Sequence, residues 1–226
     1  MRIITDNAEN ISKTVAEMIE EQVKIKPGSV LAFAAGRSTK GVYELLKESK
    51  VNFSGTEVFN ICDYTEKSCL AAQLDAELYT PLGIKKVHSP DCSDDESAAA
   101  YDDEIKAAGG IDLIVLGMGL NGHIGFNEPA TPYDTHTHIA KLTDSTKRMK
   151  AAGFGGEENV PDFAVTMGLK TICAAKQVIL LAFGEEKADI VHQLVYGKTS
   201  TYVPAAMLQM HMNMTLCLDK EAASKL

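Results

Sequence analysis

The sequence lacks most of the features that mark secreted, membrane-spanning or nucleic-acid-binding proteins. Its 226 residues contain no tryptophan, no block of lysine or arginine and no apolar run approaching eighteen residues. The first residues, MRIITDNAENISKT, have no apolar stretch of the kind found in a secretion signal. Because 31 acidic side chains outnumber 22 basic ones, giving a net charge of −9, a phosphate backbone is a poor partner. We therefore expect a soluble protein with no membrane and no nucleic-acid partner.

Cysteines are few and irregularly placed. The five, at positions 62, 69, 92, 173 and 217, are odd in number and show no C-x-x-C spacing, so neither a disulfide framework nor a zinc site is favoured. This usage fits a reducing, cytoplasmic location. The histidines of THTH (135–138) show no persuasive metal-ligand spacing. We expect paired surface histidines there, with a polar substrate contact from His138 as the alternative, and we predict no metal and no cofactor.

Short apolar runs alternate with longer amphipathic segments along the whole chain. This pattern predicts an α/β fold: a single domain over residues 1–226 with a three-layer, mostly parallel, Rossmann-like sheet and helices on both faces. The strands are expected at 29–36, 56–62, 111–118, 177–184 and 214–219. Helices are expected at about 7–25, 38–49, 67–80, 95–108, 166–175, 185–196 and 204–210. The glycine-rich stretch 151–161 predicts a mobile loop.

Polar and basic residues follow several of these strands. In open α/β sheets ligands bind beyond the carboxyl ends of the strands, so these positions are the candidates for a site. After the first predicted strand, a helix N-terminus with free N–H groups suits a phosphate, through Gly36, Arg37, Ser38 and Thr39. A simple helix cap with a solvated arginine is the alternative. After the fourth, Lys187 lies in the first turn of a helix, where a cation is disfavoured without an anion nearby.

Two further strand ends carry acid or acid/base groups. In FNICDY (59–64), Asp63 follows the second strand with Cys62 beside it, and a capping aspartate is the more ordinary explanation. GMGLNGHIGFNEP (117–129) follows the third strand with His123 and Glu128 among glycines that permit tight turns. We predict that His123 lies in a cleft and is hydrogen-bonded to a carboxylate, Glu128, so that it exchanges a proton near neutral pH.

At this point the sequence resembles a known family. The segments that carry the resemblance are GMGLNGHIGFNEPAT (117–131), THIAKLT (137–143), VPDFAVTMGLKTI (160–172), GEEKA (184–188), VPAAMLQMH (203–211) and LDKEAAS (218–224). They resemble glucosamine-6-phosphate deaminases, also called isomerases, nearly end to end. The sister 6-phosphogluconolactonases typically carry a D-G-H-T-A-S type segment instead of NGHIGFNEP. Galactosamine-6-phosphate deaminases are also similar.

The resemblance implies a role for each candidate residue. His123 would open the pyranose ring by moving a proton at the ring oxygen, while Asn121 and Glu128 hold the imidazole. Asn121 stands where many members carry aspartate. Lys187 and the loop Gly36–Thr39 would receive the sugar phosphate, and a lid at about 143–161 would close over it. The implied reaction converts an aminosugar phosphate to the ketose 6-phosphate and ammonia without a cofactor.

This chain departs from the family pattern at two places. The pattern F-N-x-D-E-Y reads FNICDY here, so Cys62 occupies the position of the base and Asp63 that of the following glutamate. A thiol is mostly protonated at neutral pH, which leaves three alternatives: Asp63 replaces it, Cys62 is a weak base, or the sugar binds without deamination. The family also often carries an arginine at about Ala152, and Arg37 is a candidate to replace its guanidinium.

Three functions remain open from the sequence. The first and favoured one is an aminosugar-phosphate deaminase acting on glucosamine 6-phosphate or galactosamine 6-phosphate, with altered turnover. The second is another sugar-phosphate isomerase or a lactonase, and the third is a non-catalytic sugar-phosphate sensor. Because larger hexameric members extend past the last strand whereas this sequence ends at Leu226, we expect a monomer or small homo-oligomer.

Overall fold

The computed structural model describes residues 1–66 and 69–226, which contain ten strands. They are β1 Arg2–Asp6, β2 Val30–Phe33, β3 Glu57–Asn60, β4 Cys62–Tyr64, β5 Lys86–His88, β6 Leu113–Gly117, β7 His138–Lys141, β8 Phe163–Thr166, β9 Val178–Ala182 and β10 Met214–Asp219. Seven of them form one sheet in the order β1-β10-β9-β6-β2-β3-β5. Every neighbouring pair in this sheet is parallel. The predicted parallel sheet is therefore confirmed.

Helices connect these strands. The α-helices are α1 Ala8–Ile25, α2 Arg37–Lys47, α3 Cys69–Leu74, α4 Thr80–Leu82, α5 Asp95–Ala107, α6 Asp144–Phe154, α7 Leu169–Cys173 and α8 Ala188–Tyr196. A π-helical segment, Asp75–Tyr79, joins α3 to α4. Three 3₁₀ segments are Glu157–Asn159, Glu185–Lys187 and Pro204–Met210. None of the helices among the described residues is long and apolar enough to cross a membrane.

The central sheet is buried on both faces, which explains its continuous apolar strands. In β6, Leu113 and Val115 enter the apolar cluster that contains the inner faces of α1 and α2. Ile114 and Leu116 enter the cluster on the opposite side. Because successive strand residues point to opposite faces, a strand that feeds two cores must be apolar throughout. This arrangement confirms the three-layer α/β architecture.

A second, three-stranded antiparallel sheet, in the order β4-β8-β7, was not predicted. It corrects two expectations. The predicted strand 56–62 ends at Asn60, and Cys62 instead belongs to β4. The predicted helix 166–175 begins only at Leu169, because the preceding apolar residues form β8. Short apolar runs fit a strand or a buried helix equally well, so periodicity alone does not separate them.

Several other boundaries also differ from the prediction. The 151–161 stretch is not a plain loop, since α6 continues to Phe154 and a 3₁₀ turn follows. The predicted helix 204–210 is 3₁₀. The predicted helix 67–80 is interrupted by the π-helical segment, and its first two residues lie outside the described ones. The edge strands β1 and β5 were not predicted, because they are short, carry mostly exposed side chains and contain no continuous apolar run.

Candidate functional site

Three loops with polar residues emerge side by side from the sheet. Strands β2, β6 and β9 are neighbours in the order β9-β6-β2, and all are parallel. Their carboxyl ends therefore lie at one edge, and the segments that follow them are 36–39, 118–128 and 184–187. The sheet topology thus brings together three of the predicted site segments.

The turn that carries His123 needs glycine at two positions. A Cβ on Gly119 would lie 2.4 Å from Cε1 of His123, so the imidazole packs directly on the glycine backbone. Gly122 has a φ of +81°, and a Cβ there would lie 2.7 Å from Val203. Such conformations and approaches are open to glycine and costly for other residues. The glycines of this motif therefore fix the position of the histidine.

His123 and Glu128 are both buried, but they do not hydrogen-bond directly. Nδ1 of His123 lies 3.8 Å from Oε2 of Glu128, beyond hydrogen-bond length. Asn121 joins the two residues, because its Nδ2 donates to Glu128 at 2.8 Å and its Oδ1 accepts from the His123 backbone N–H at 3.2 Å. The direct hydrogen bond expected from the sequence is thus replaced by a bridged arrangement.

Two threonines at the start of α6, the N-cap Thr143 and Thr146, also connect His123 to Glu128. Oγ1 of Thr146 lies 3.3 Å from Nδ1 of His123, and Oγ1 of Thr143 donates to Oε2 of Glu128 at 3.2 Å. The two threonine oxygens are 3.2 Å apart. Nothing in the sequence singled out either residue, because serine and threonine near a helix start usually serve as caps.

The surroundings of His123 hold its pKa well below the ordinary value of 6.5. Burial is the main cause, because it penalises the charged imidazolium. The carboxylate of Glu128 acts in the opposite direction and raises the pKa, while the ammonium groups of Lys150 and Lys187 lower it further. His123 is therefore neutral at physiological pH and able to accept a proton at Nε2.

Lys187 is a buried cation that has no ion-pair partner among the described residues. Only 5% of the residue is exposed, and its Nζ donates to the Met118 carbonyl at 2.5 Å. Burial lowers its pKa to about 8, Arg37 and Lys150 lower it too, and Glu186 raises it. No carboxylate in the described part of the chain lies within ion-pair distance of Lys187. A buried ammonium in this state favours an anionic ligand.

The N-terminus of α2 lies next to this lysine. Its cap, Gly36, provides no side-chain hydrogen bond, and no acidic residue occupies the first turn. Thr39 turns its hydroxyl inward to the Ala34 and Gly36 carbonyls, which shapes the loop. Arg37 is mostly exposed and pairs with Glu186 at 3.3 Å, which ties the loop to the segment that carries Lys187. Free backbone N–H groups at such a terminus suit a phosphate.

Cys62 and Asp63 point to opposite faces of β4. Cys62 is paired with Thr166, whose hydroxyl accepts the Phe126 N–H, so the thiol faces the segment that follows His123. Asp63 accepts from the N–H groups of Tyr64, Leu70 and Ala71. The Asp63 carboxylate thus anchors the start of α3. Its geometry favours this anchoring role over that of a mobile base.

Burial makes the Cys62 thiol a poor base. It raises the pKa of Cys62 to about 12, Lys150 offsets part of that increase, and the Asp63 carboxylate adds to it. At neutral pH the thiol is therefore protonated. Of the three alternatives open at this position, efficient catalysis by the unaided thiol is the least compatible with the surroundings.

Lys150 of α6 is a candidate site residue that the sequence did not identify. Its ammonium interacts electrostatically with Cys62, His123 and Lys187, and its Nζ lies 6.0 Å from the ring centroid of Phe126. It occurs two positions before Ala152, where the family often has an arginine. A lysine in the segment 143–161 was the available signal, but a helix-surface lysine is usually solvated.

A cavity of about 210 Å³ lies beside His123. It is lined by Leu120, Asn121, His123, Ser145, Thr146 and Met149.

The two histidines of THTH lie close to each other. His136 binds Asp102 at 2.7 Å, and the His138 ring lies 2.9 Å from the His136 carbonyl. The substrate contact for His138 stays a prediction. Within residues 1–66 and 69–226, no group of three His, Cys, Asp or Glu side chains is arranged to hold a metal.

Comparisons with known proteins agree along almost the whole chain. The family described as glucosamine-6-phosphate isomerases/6-phosphogluconolactonase matches residues 4–217. A protein named glucosamine-6-phosphate deaminase from Thermoanaerobacter sp. (strain X514) is 40% identical over 98% of this chain and 93% of its own length. One of the same name from Clostridium botulinum (strain Langeland) is 38% identical over 99% of this chain and 98% of its own.

Solved structures extend the comparison to the fold. A monomeric glucosamine-6-phosphate deaminase superimposes with a TM-score of 0.95 at 29% identity, and all of both chains is covered. The 6-phosphogluconolactonase of Trypanosoma brucei superimposes with a TM-score of 0.80 over all of this chain and 98% of its own. At 19% identity, the lactonase shares the fold alone.

Proposed function

The chain belongs to the family of glucosamine-6-phosphate isomerases and 6-phosphogluconolactonases, and from this premise we propose that it is a glucosamine-6-phosphate deaminase. The relatives of that name cover nearly the full length at 37–40% identity. The segment NGHIGFNEP, rather than the lactonase type, also supports the deaminating branch. The product pair is the ketose 6-phosphate and ammonia.

One observation carries the proposal. A buried neutral histidine and a buried lysine, which has no ion-pair partner among the described residues, follow the neighbouring strands β6 and β9. The histidine supplies an acid/base group, and the lysine together with the α2 N-terminus supplies a place for an anion. A phosphorylated sugar requires both groups in one cleft.

Ring opening, phosphate binding and closure of the site each have a proposed group in this chain, while the base at C2 stays open between Cys62 and Asp63. Neutral His123 accepts the proton of the anomeric hydroxyl and returns it to the ring oxygen, which opens the ring. A base then moves a proton from C2 to C1 through an enolamine, and water hydrolyses the ketimine to release ammonia. The helix α6 within 143–161 acts as the lid. Lys187, Arg37 and the Gly36–Thr39 backbone hold the phosphate.

The direct test is ammonia release from glucosamine 6-phosphate and galactosamine 6-phosphate, assayed in parallel. We expect release from glucosamine 6-phosphate to exceed release from the galacto epimer, because the named relatives are glucosamine-6-phosphate deaminases. Hydrolysis of 6-phosphogluconolactone without ammonia release would favour a lactonase. Binding of the sugar phosphates without any turnover would identify a sensor. Either result would overturn the proposal.

Replacing Lys187 is expected to weaken binding of the substrate phosphate. Lys187→Met should raise KM at least about tenfold, since a charge-assisted hydrogen bond to phosphate is lost. Inorganic phosphate should inhibit the wild type competitively. This inhibition should weaken as the pH rises above about 8, where free Lys187 loses its proton. Lys187→Met should lack that pH step.

Lys150 has a matched control on the same helix. Lys150→Met is also expected to raise KM, because its ammonium faces the cleft groups. Lys147 lies on α6 but pairs with Asp162 at 2.6 Å, so Lys147→Met should leave KM unchanged. Equal effects of the two substitutions would assign Lys150 to lid stability instead of phosphate binding.

Assembly and compartment are further parts of the proposal. A monomer or small homo-oligomer is supported by the likeness to a monomeric deaminase. The free thiols of Cys62, Cys92, Cys173 and Cys217 support a reducing, cytoplasmic environment. Sedimentation of the purified chain measures the first of these directly.

A further inference from the structure

We propose that Thr146 is a positioning residue for ring opening, whose hydroxyl links Nδ1 of His123 to the Glu128 carboxylate through the hydroxyl of Thr143. The inference rests on the proposed function for its kinetic consequences. Its structural content, a hydrogen-bonded relay from α6 to the histidine, is independent of the substrate.

The relay begins with the way α6 starts. Thr143 is the N-cap of the helix, and its Oγ1 accepts the Thr146 backbone N–H at 3.3 Å. The same oxygen donates its proton to Glu128. Three residues beyond the cap, Thr146 lies on the buried side of the helix and is 1% exposed. The first turn of α6 therefore delivers both hydroxyls to the space between His123 and Glu128.

The tautomer of His123 fixes the direction of the relay. For Nε2 to accept the substrate proton, the neutral imidazole must carry its own proton on Nδ1, so Nδ1–H donates to Thr146 both before and after the transfer. In the structure the Thr143 hydroxyl is placed to donate either to Glu128 or to Thr146, each at 3.2 Å. With Nδ1–H donating to Thr146, the Thr146 hydroxyl turns its proton to Thr143, and Thr143 donates to Glu128, which only accepts. Every hydroxyl donates once along this chain. The positive charge that forms on the imidazole is thereby connected to a carboxylate 3.8 Å away, too far for a direct bond.

This connection matters because the charged imidazole is otherwise disfavoured. His123 is 6% exposed, and the cations Lys150 and Lys187 face it from α6 and from the segment after β9. Glu128 is the acidic group that offsets them. Since Nδ1 is occupied by Thr146, Nε2 is the nitrogen left for the sugar. The relay also requires α6 to be docked, so the lid helix contributes to acid/base catalysis as well as covering the site.

The test compares Thr146→Val, which keeps the shape but loses the hydroxyl, with Thr146→Ser, which retains it. Thr146→Val should lower kcat about 10- to 100-fold with little change in KM, as expected for a lost hydrogen bond to a charged group. The acidic limb of kcat/KM should move to lower pH, because the imidazolium loses its partner and the His123 pKa falls. Thr146→Ser should restore both.

A matched control and a substrate-independent readout complete the experiment. Thr56→Val removes another fully buried hydroxyl, bonded to the Phe53 carbonyl just before β3, and should change stability but neither kcat nor the pH limb. Nitrogen-15 NMR of labelled histidine should report a lower His123 pKa in Thr146→Val. An unchanged His123 pKa would overturn the relay even in an active enzyme. Wild-type protein without ammonia release would overturn the proposed function instead.

Discussion

His123→Gln is expected to abolish ammonia release while leaving competitive binding of inorganic phosphate nearly unchanged. Glutamine retains polarity and hydrogen bonding, but it cannot accept and return a proton. General acid/base catalysis typically contributes about 10²–10⁴-fold, so the loss should fall in that range or beyond. The measurement is turnover of glucosamine 6-phosphate together with the phosphate inhibition constant of the same preparation.

The pH profile adds a second readout of the same residue. Because burial holds the His123 pKa below 6.5, the neutral base should persist at pH values where an exposed histidine is already half protonated. The acidic limb of wild-type kcat/KM should therefore lie below pH 6.5. Loss of turnover and of phosphate binding together in His123→Gln would contradict the assignment and indicate a structural histidine.

The central sheet was predictable because its strands follow a simple rule. Strands buried on both faces read as continuous apolar runs, and the helices between them show amphipathic spacing, as in α1 with Ile11, Val15 and Ile19 inward. The edge strands β1 and β5 gave no such run. The strands β4, β7 and β8 were also missed, because pairing between segments about 25 to 100 residues apart leaves no local periodicity.

The site was predictable to the extent that its residues follow strands. His123, Lys187 and the Gly36–Thr39 loop lie at the ends of β6, β9 and β2, and the topology brings these ends together. Thr146 and Lys150 come instead from α6, which follows β7 of the second sheet. Which face of such a helix turns inward depends on tertiary packing, so the sequence did not single out either residue. The single-domain organisation stays a prediction.

Asn121 illustrates how one substitution fits its surroundings. Its Nδ2 donates to Glu128 at 2.8 Å. An aspartate at this position would bring two carboxylates within hydrogen-bond distance, which is tolerated only if they share a proton. With asparagine, an amide N–H donates to Glu128 and no second carboxylate faces it. The carboxylate is thus available to balance a charge on His123.

Cys62→Asp is expected to raise the rate of ammonia release by about two orders of magnitude, within the range that a general base contributes. The thiol has a pKa of about 12 and is protonated at neutral pH, so it abstracts the C2 proton poorly. A carboxylate at the same position faces the His123 segment, as the pairing of Cys62 with Thr166 dictates. The nearby Lys150 ammonium favours its ionised form.

The gain should appear in the proton-transfer step itself. In deuterated water, the variant should place deuterium at C1 of the ketose faster than the wild type does, while KM changes little. Cys62→Ser, which cannot ionise in this range, should not gain. Cys217→Ser serves as the matched control for Cys62→Ser, because Cys217 is also buried but lies in the apolar cluster on the other face of the sheet, with α1.

If Cys62→Asp does not raise the rate of ammonia release, the effect of Asp63→Asn decides which residue is the base. Its oxygens accept three backbone N–H groups at the start of α3, so Asp63→Asn should lower stability by about 1 kcal/mol, as for a lost helix cap, and leave turnover measurable. If wild-type turnover resists improvement by Cys62→Asp while Asp63→Asn destroys it, Asp63 is the working base. Its helix-anchoring bonds must then break on substrate binding. If instead Cys62→Ser alone destroys turnover, the thiol is the base, and the bound sugar phosphate must lower its pKa.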